Sequence, residues 1–416
     1  MAYTLVSGYG QSNGNWQFIA SPLAESINPT EIDNMLPTTG AYDLYRFDQS
    51  ESAEWQNYKA NNFTLANGQG YLYANQEDVN LIFKGTFNEG SSQEVSLTYD
   101  GTAHFAGWNL VGNPFPYPAT VSRSYYVMNT GGTAIEPVAL SAGGTIAACT
   151  GVMVKAEASE TNPSVTFEQP TRQTLENKGL LHIALSQVVE KGGVSTGSTT
   201  AIDKAIVSFN AGDALEKYVF NKDNAQISIP QNGKDYAIAV AGRDAKFCVS
   251  TTDEIPINFK AAKNGTYTLT FDTQNLDLDY LHLIDNLTGA DIDLLTPAGR
   301  PPFKGGRGDS KDPRQAEYTF TAKTTDYASR FRLVFSTPAD ETSATDQPFA
   351  YHADSEIRLV ETCHGASLQV VDVMGRVIVS MGGHTRCVPT MGMAPGVYVL
   401  RLIDGDNVRT QKIVIR

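Results

Sequence analysis

The sequence has few cysteines, and it lacks the short motifs by which many enzymes and metal proteins are detected. Its four cysteines, Cys149, Cys248, Cys363 and Cys387, lie far apart and form neither a CxxC pair nor a Cys/His metal spacing, which argues against a zinc site. There is no HExxH, no GxSxG elbow leading into a helix and no glycine loop positioned to bind phosphate. The six histidines are scattered singly. We therefore expect no enzyme activity, no cofactor and no metal site.

Basic residues and long apolar runs are also scarce. The chain has 31 Lys and Arg against 45 Asp and Glu, a formal net charge of -14. Because a nucleic-acid-binding surface must neutralise phosphates, this balance argues against nucleic acid as a partner. No apolar run approaches the about 20 residues of a transmembrane helix. The first residues, MAYTLVSGYGQSNG, contain no charged segment followed by an apolar one, so no signal peptide is visible.

Glycine and aromatic residues are abundant, which favours a β-rich protein with many turns. The 416 residues include 36 Gly, 19 Tyr and 18 Phe, and only 18% are charged. A chain of this length is expected to form two to four domains. We predict an all-β fold of tandem antiparallel β-sandwiches. The expected domains are 1–172 and 173–337, followed by a polar linker (338–352) and a terminal domain (353–416).

A weak internal repeat occupies the first domain. WQFIASP (16–22) recurs 92 residues later as WNLVGNP (108–114), and GYLYA (70–74) recurs 81 residues later within GVMVKA (151–156). A third block, VNLIF (79–83), parallels SVTF (164–167). The blocks keep their order while the loops differ in length, which is typical of a duplicated β-unit.

The three tryptophans, Trp16, Trp55 and Trp108, allow two interpretations. A tryptophan that opens a strand usually anchors a core, since its large apolar area is best buried, and we favour this interpretation. The alternative is a platform on which a sugar stacks. Tyrosines are crowded in the first unit, and Trp55 is our candidate for a glycan contact.

Short strands recur from residue 180 onward, as in an antiparallel sandwich. Five acidic residues between them are interpreted as a solvated strand face rather than a calcium site: Asp277, Asp279, Asp285, Asp291 and Asp293. A glycine- and proline-rich insert (298–316) separates two segments that are predicted to form a hairpin, and we expect it to project as a mobile loop. It contains Arg307-Gly308-Asp309-Ser310, which resembles the integrin-recognition tetrapeptide. The alternative is a chance match in a protease-sensitive or engineered loop.

The last fifty residues contain two hairpin patterns. In VVDVMGRVI (370–378), β-branched runs flank Met374-Gly375. In APGVYVLRLIDGDNVRTQKIVIR (394–416), two apolar runs flank a turn of Asp, Gly and Asn residues that tolerate left-handed backbone angles.

These segments resemble the C-terminal sorting domain of Bacteroidota proteins exported by the type IX secretion system. The match covers about residues 353–416. The residues that carry it are Asp372, Gly375, Arg376, Pro395, Gly396, Tyr398, Lys412 and Arg416. The resemblance implies an immunoglobulin-like β-sandwich recognised by an outer-membrane translocon. It also implies removal by a sortase-like peptidase that attaches the passenger to lipopolysaccharide. An ordinary terminal β-sandwich without a transport role is the alternative.

The resemblance implies a protein that crosses the periplasm and is found outside the cell or on its surface. Because export requires a signal peptide and none is visible, we expect the chain to be a fragment. Cys363 and Cys387 could pair in an oxidising compartment, although buried free thiols are the simpler interpretation. The main functional hypothesis is a structural or adhesin-type surface protein with a host integrin or a glycan as ligand. The alternatives are the non-catalytic tail of a secreted peptidase or glycosidase, and a carbohydrate-binding module.

Overall fold

The computed structural model describes most of the chain, and its regular structure is almost entirely β-strand. The described residues are 2–5, 16–170, 179–191, 194–197, 201–210, 212–241, 254–276, 278, 280–295, 315–335, 350–353, 356–359, 367–372, 376–382, 387–390, 393–404 and 407–415. Within them lie 32 strands and two short 3-10 helices, Pro29–Glu31 and Leu140–Ala142. The all-β prediction is therefore confirmed.

The strands of residues 2–170 are β1 (Ala2–Leu5), β2 (Gln17–Ala20), β3 (Tyr42–Phe47), β4 (Trp55–Asn57), β5 (Gly70–Asn75), β6 (Val79–Ile82), β7 (Ser92–Ser96), β8 (Trp108–Gly112), β9 (Thr120–Val121), β10 (Tyr125–Met128), β11 (Ile135–Val138), β12 (Gly151–Lys155) and β13 (Ser164–Glu168). Those of residues 179–335 are β14 (Leu180–Lys191), β15 (Val194–Gly197), β16 (Asp203–Ser208), β17 (Leu215–Glu216), β18 (Gln226–Gln231), β19 (Lys234–Val240), β20 (Glu254–Lys260), β21 (Gly265–Gln274), β22 (His282–Asp285), β23 (Ala290–Asp293), β24 (Gln315–Ala322) and β25 (Phe331–Val334). The last strands are β26 (Ala350–Ala353), β27 (Glu356–Leu359), β28 (Ser367–Asp372), β29 (Val377–Gly382), β30 (Cys387–Pro389), β31 (Gly396–Asp404) and β32 (Asn407–Ile415).

The described residues divide into two compact units. The first covers 2–335 and the second covers 350–415. Strand β26 begins at Ala350, three residues before the expected start of the terminal domain.

The internal repeat corresponds to two four-stranded sheets of equivalent order. The first sheet is β2-β5-β3-β4, and the second is β8-β12-β10-β11. The register is also equivalent: Ile19 lies opposite Tyr71 in the first sheet, and the matching residues Val111 and Val152 lie opposite each other in the second. The third block differs, because β6 pairs with β1 while β13 pairs with β7 and β9. The first two blocks of the repeat therefore mark a structural duplication.

The two copies contact each other through equivalent residues. The backbone N–H of Ala20 donates to the carbonyl of Cys149 at 2.9 Å, and that of Gly112 donates to the carbonyl of Gly68, also at 2.9 Å. The two hydrogen bonds are equivalent, because the repeat matches the donor Ala20 to the donor Gly112 and the acceptor Cys149 to the acceptor Gly68. Gly68 and Cys149 also share a left-handed backbone, with φ of 79° and 60°. The copies are thus related by a local two-fold arrangement, in which Cys149 adopts a conformation that glycine adopts more readily.

Residues 179–335 form a twelve-stranded sheet that encloses its own core. Its strands follow the order β23-β22-β25-β20-β18-β19-β16-β14-β21-β24, with β15 on β14 and β17 on β19. Alternate residues point inward, as along β21, where Tyr267, Leu269 and Phe271 are buried. The other strands supply further core residues, among them Leu181, Ile227, Phe259, Phe320 and Leu333. The prediction that short strands recur from residue 180 onward is confirmed.

The predicted hairpin around the insert is wrong. Strand β23 pairs with β22, whereas β24 pairs with β21, and the two strands lie at opposite ends of the sheet. Apolar and polar residues alternate in both segments, as is typical of antiparallel strands. This alternation does not show which other strand each of them pairs with. Residues 296–314, which include all of the insert except its last two residues, lie outside the described residues.

One of the five acidic residues was also misassigned. Asp285 is not on a solvated face, because it is 0% exposed and its carboxylate contacts the guanidinium of Arg330 at 2.8 and 3.1 Å. The Arg330 side chain is itself buried, and the Tyr318 hydroxyl donates to the same carboxylate at 3.0 Å. This is a buried ion pair with hydrogen-bond support. Asp277 and Asp279 lie outside the described residues.

A second cluster joins the duplicated sheets to the twelve-stranded sheet. Trp108 and Tyr126 of the second copy pack with Leu215, Tyr218 and Ile238 of the large sheet. Residues assigned to two domains in the sequence analysis therefore share apolar packing within the first compact unit.

The terminal unit consists of a three-stranded sheet, β26-β27-β30, and a four-stranded sheet, β29-β28-β31-β32. Both predicted hairpins are confirmed, since β28 pairs with β29 and β31 pairs with β32 over nine residues. The buried residues of this unit come from both sheets: Ala350, Ile357, Leu368, Val370, Val388, Tyr398, Leu400, Ile413 and Ile415. The seven strands of this unit therefore form a β-sandwich of two antiparallel sheets, as expected for the terminal residues at the level of fold class.

Candidate functional site

Two of the predicted sorting residues close the turn between β28 and β29. The backbone N–H of Arg376 donates to the Asp372 carboxylate at 2.9 Å, and its guanidinium Nε donates to the same group at 2.8 Å. The backbone N–H of Asp372 donates to the carbonyl of Arg376 at 3.0 Å. These bonds stabilise the turn, while the Arg376 side chain remains 76% exposed. Gly375 lies outside the described residues.

The other sorting residues differ in accessibility. Tyr398 is buried, and its hydroxyl donates to the carbonyl of Ala394 at 2.8 Å, so it has a structural role at the start of β31. Pro395 and Lys412 are exposed, and Gly396 is half-buried. Arg416 lies outside the described residues. The exposed members, together with Arg376, are the ones that a receptor could contact directly.

Exposed apolar residues are concentrated in this small unit. Six large apolar side chains are strongly exposed in the described part of the chain, and Val377, Ile378 and Val397 of the terminal unit are three of them. Val377 and Ile378 lie on β29, at the edge of the four-stranded sheet. Exposed apolar side chains next to an unpaired strand edge are typical of a surface that binds another protein.

A second site emerges from the duplication, because each copy carries the same aromatic pair. Trp108 and Tyr126 of the second copy have ring centroids 5.9 Å apart, and the matching Trp16 and Tyr45 of the first copy are also 5.9 Å apart. Tyr45 and Tyr126 occupy equivalent register positions, opposite Leu72 and Met153 respectively.

The aromatic pair of the second copy is fully covered by the large sheet. Trp108 is 5% exposed, and the ring of Tyr218 lies against it with centroids 5.1 Å apart. The Tyr126 hydroxyl donates to the carbonyl of Glu216 at 3.2 Å and accepts the N–H of Tyr218 at 3.1 Å. Burial raises the pKa of Tyr126 well above its usual range. The core interpretation of Trp108 is confirmed.

The aromatic pair of the first copy lines an open pocket instead. The pocket has a volume of about 370 Å³. Its described lining residues are Trp16, Tyr45, Trp55, Leu72, Phe220, Asn221 and Asp223. Trp16, Tyr45 and Trp55 are half-buried, so parts of all three rings are accessible.

Trp55 is held by packing on two sides. Its ring lies edge-on to Phe47 at 5.1 Å and to Phe220 at 6.3 Å between centroids. Burial raises the pKa of the nearby Tyr218 hydroxyl, and the Trp55 side chain opposes this rise in part. The two ring contacts hold Trp55 in place at the pocket lining.

The sequence predicted Trp55 as a pocket residue only as the less favoured alternative, and it missed the others. Trp16 could have been found, since the repeat matches it to Trp108. Phe220, Asn221 and Asp223 come from the turn after β17, more than 140 residues away in sequence, and no sequence motif links them to Trp16.

Other sequence features fall outside this site. Arg307-Gly308-Asp309-Ser310 lies outside the described residues, so its adhesive role remains a prediction. Cys248 and Cys363 also lie outside them, as does the side chain of Cys387, and the suggested pairing of Cys363 with Cys387 remains open. Cys149 is buried, and burial raises the pKa of its thiol to about 12. The last four residues of a GxSxG match at 193–197 form β15, a strand paired with β14.

Comparison with known proteins does not assign the chain to a family. Within the described residues, no helix is both long and apolar enough to cross a bilayer. The chain gives no match to protein-family models, to curated proteins or to solved structures.

Proposed function

We propose that residues 353–416 are a type IX sorting signal and that the preceding β-sheets are its non-catalytic cargo, displayed on the cell surface. The signal is recognised by the outer-membrane translocon. A sortase-like peptidase then removes it and attaches the cargo to lipopolysaccharide. The proposal originates in the three C-terminal segments that resemble the sorting family.

One structural observation carries this proposal: the terminal residues have a core of their own. Leu368, Val370, Leu400 and Ile413 are buried among residues of the same unit, and residues 350–415 form a separate compact unit. A signal that is cut from its cargo must fold without it, and an independent core meets that requirement.

The accessible residues of the terminal unit suggest how the translocon would contact it. Val377 and Ile378 are 50% and 45% exposed on the edge strand β29, and Arg376 precedes them at the turn. An edge strand with exposed apolar side chains can add to a sheet of a partner, with the arginine supplying charge recognition. Lys412 is exposed on β32, at the opposite edge of the same sheet.

Deletion of residues 353–416 tests the proposal. In a type IX-competent host that produces the complete precursor, the shortened protein is expected to accumulate in the periplasm. Surface labelling and fractionation measure its location. A matched variant, Val377→Ser with Ile378→Ser, keeps the unit but removes the exposed apolar pair, and it should reduce surface display. Normal display of the deletion would contradict the sorting role.

The tail of a secreted hydrolase is the second candidate for the cargo. It is favoured by the combination of a sorting-type terminus with sheets in which the sequence contains no catalytic motif. The gene sequence upstream of the described chain distinguishes the two candidates, because a catalytic domain is expected there only for the second.

A further inference from the structure

The two copies of the duplicated sheet carry the same aromatic face, yet within the described part of the chain only the face of the second copy is covered by another protein segment. In the second copy, the ring of Tyr218 covers Trp108, and the backbone of 216–218 bonds the hydroxyl of Tyr126. In the first copy, the equivalent space beside Trp16 and Tyr45 is an open pocket of about 370 Å³. The first face therefore has room for a ligand at the position where the second face holds a protein segment.

A ligand that fits the open face would combine a flat apolar surface with hydroxyl groups. The Tyr126 hydroxyl makes two hydrogen bonds to the backbone of 216–218. The described residues provide no equivalent bonds to the Tyr45 hydroxyl, so it can bond to a ligand. Asn221 and Asp223 add a carboxamide and a carboxylate to the lining of the pocket, which also contains Trp16 and Trp55. The Asn221 side-chain oxygen accepts the N–H of Asp223 at 3.0 Å, which leaves its amide hydrogens directed away from that bond.

A sugar ring has these properties. One face of a pyranose presents C–H groups, which pack on the electron-rich face of an aromatic ring, while its rim presents hydroxyls that need polar partners. The volume lies within the range of small-ligand pockets and exceeds what a single aromatic side chain fills. A sugar ring would fit beside Trp16 as the Tyr218 ring fits beside Trp108.

The charge of the pocket lining favours a neutral sugar over an acidic one. Asp223 is the one charged residue among the described lining residues, and neither Lys nor Arg lines the pocket in the described part of the chain. The protein as a whole carries a formal charge of -14. A sialic acid or uronic acid would bring its carboxylate next to Asp223 without a compensating cation, which is unfavourable.

We propose that the pocket of Trp16, Tyr45, Trp55, Phe220, Asn221 and Asp223 binds a neutral saccharide of one or two rings. The proposal goes beyond the export function and does not depend on it. The ligand stacks on the tryptophan rings, and its hydroxyls bond to Tyr45, Asn221 and Asp223.

The test starts with the purified 416-residue chain on an array of neutral, sialylated and uronate-containing glycans. The best neutral glycan is then titrated by calorimetry, with glucuronate and N-acetylneuraminate as acidic probes. We expect binding of at least one neutral glycan and about tenfold weaker binding, or none, of the acidic sugars. Absence of neutral binders on the array, or preference for acidic ones, would overturn the proposal.

Two conservative variants form a matched pair. Tyr45→Phe removes the pocket hydroxyl and should weaken binding about three- to tenfold. Tyr327→Phe removes the hydroxyl of a 46% exposed tyrosine outside the pocket lining and should leave binding unchanged. Equal affinities of the two variants would contradict the assignment of the site.

Trp55→Ala should reduce affinity about tenfold or more, because it removes a stacking ring. Its folding is checked by circular dichroism, and Asp223→Ala, a change at an exposed position, tests the site if Trp55→Ala fails to fold.

Sedimentation of the wild type and of Trp16→Ser distinguishes a saccharide site from a surface that binds a second copy of the chain. A dimer that Trp16→Ser dissociates would assign this face to a second copy of the chain and overturn the saccharide proposal. Binding of choline in place of any sugar would overturn it too, since an aromatic pocket with one carboxylate can also hold a cation.

Discussion

At the residue scale, the buried pair of Asp285 and Arg330 is the feature whose loss should be most costly. Their side chains are 0% and 1% exposed, so neither charge is stabilised by water. Asp285→Asn leaves the buried guanidinium with only a longer contact to the Asp326 carboxylate, at 3.4 Å, and we expect the free energy of unfolding to fall by about 3 to 5 kcal/mol. Urea unfolding at pH 7 measures this change.

The same pair predicts a pH dependence. Burial raises the pKa of Asp285, but the bonds from Arg330, Leu287 N–H and Tyr318 outweigh burial, and the pKa lies below its usual value. A carboxyl with a lowered folded pKa stabilises the protein above its unfolded pKa and loses that contribution as the pH falls through the folded pKa. The difference between wild type and Asp285→Asn should therefore shrink below about pH 4. As a control, Asp33→Asn breaks an exposed pair with Lys84 and should cost less than about 1 kcal/mol.

A glycine at the contact of the two sheet copies gives a second residue-scale prediction. A Cβ on Gly70 would lie 2.6 Å from the carbonyl oxygen of Val111, which belongs to the backbone and cannot easily move. Gly70→Ala should destabilise the protein by about 1 to 3 kcal/mol. Gly265→Ala is the control, because the nearest atom there is a side-chain nitrogen of Gln187 at 3.6 Å. If both variants unfold at the same urea concentration, the close approach of the copies is not as described.

At the element scale, strands were easier to predict than their neighbours. Alternation of apolar and polar residues located β14, β16, β21 and the terminal hairpins, because burial on one face depends on local pattern alone. The partners of β23 and β24 depend on how a twelve-stranded sheet closes around its core, and no local pattern encodes that. The burial of Asp285 was missed for the same reason, since Arg330 lies 45 residues away.

The duplicated sheet is an intermediate case, in which the sequence predicted the repeat but not its consequence. Matching Trp16 to Trp108 suggests that both share one environment, and the structure shows that their surroundings differ. Trp108 is covered by Tyr218 from the large sheet, whereas Trp16 borders an open pocket. The difference arises from one segment, residues 215–223. Its first part packs on the aromatic pair of the second copy, whereas its last part lines the pocket of the first copy without filling it.

At the scale of the whole molecule, the two compact units should unfold in separate transitions. The terminal unit covers 350–415, and a unit of this size buries only about 60% of its surface, so it should melt first. Leu400 is fully buried in it, and Leu400→Ala should remove about 2 to 5 kcal/mol and lower that transition by about 10 °C or more. Differential scanning calorimetry measures both transitions.

Leu333→Ala is the matched control for this experiment. Leu333 is fully buried in the core of the large sheet, so the same substitution should lower only the transition of residues 2–335. A single transition that both variants shift equally would contradict the independence of the terminal unit.

Independence of the terminal unit matters because a sorting signal must function on any cargo. The most direct measurement is transplantation: residues 350–416 are fused behind a signal peptide and a fluorescent reporter, and the reporter is located in a type IX-competent bacterium. The account predicts that the reporter reaches the cell surface or the medium, and that the same fusion with Val377→Ser and Ile378→Ser does so less efficiently. Retention of the unmodified fusion in the periplasm, with its terminal unit folded and intact, would contradict the account.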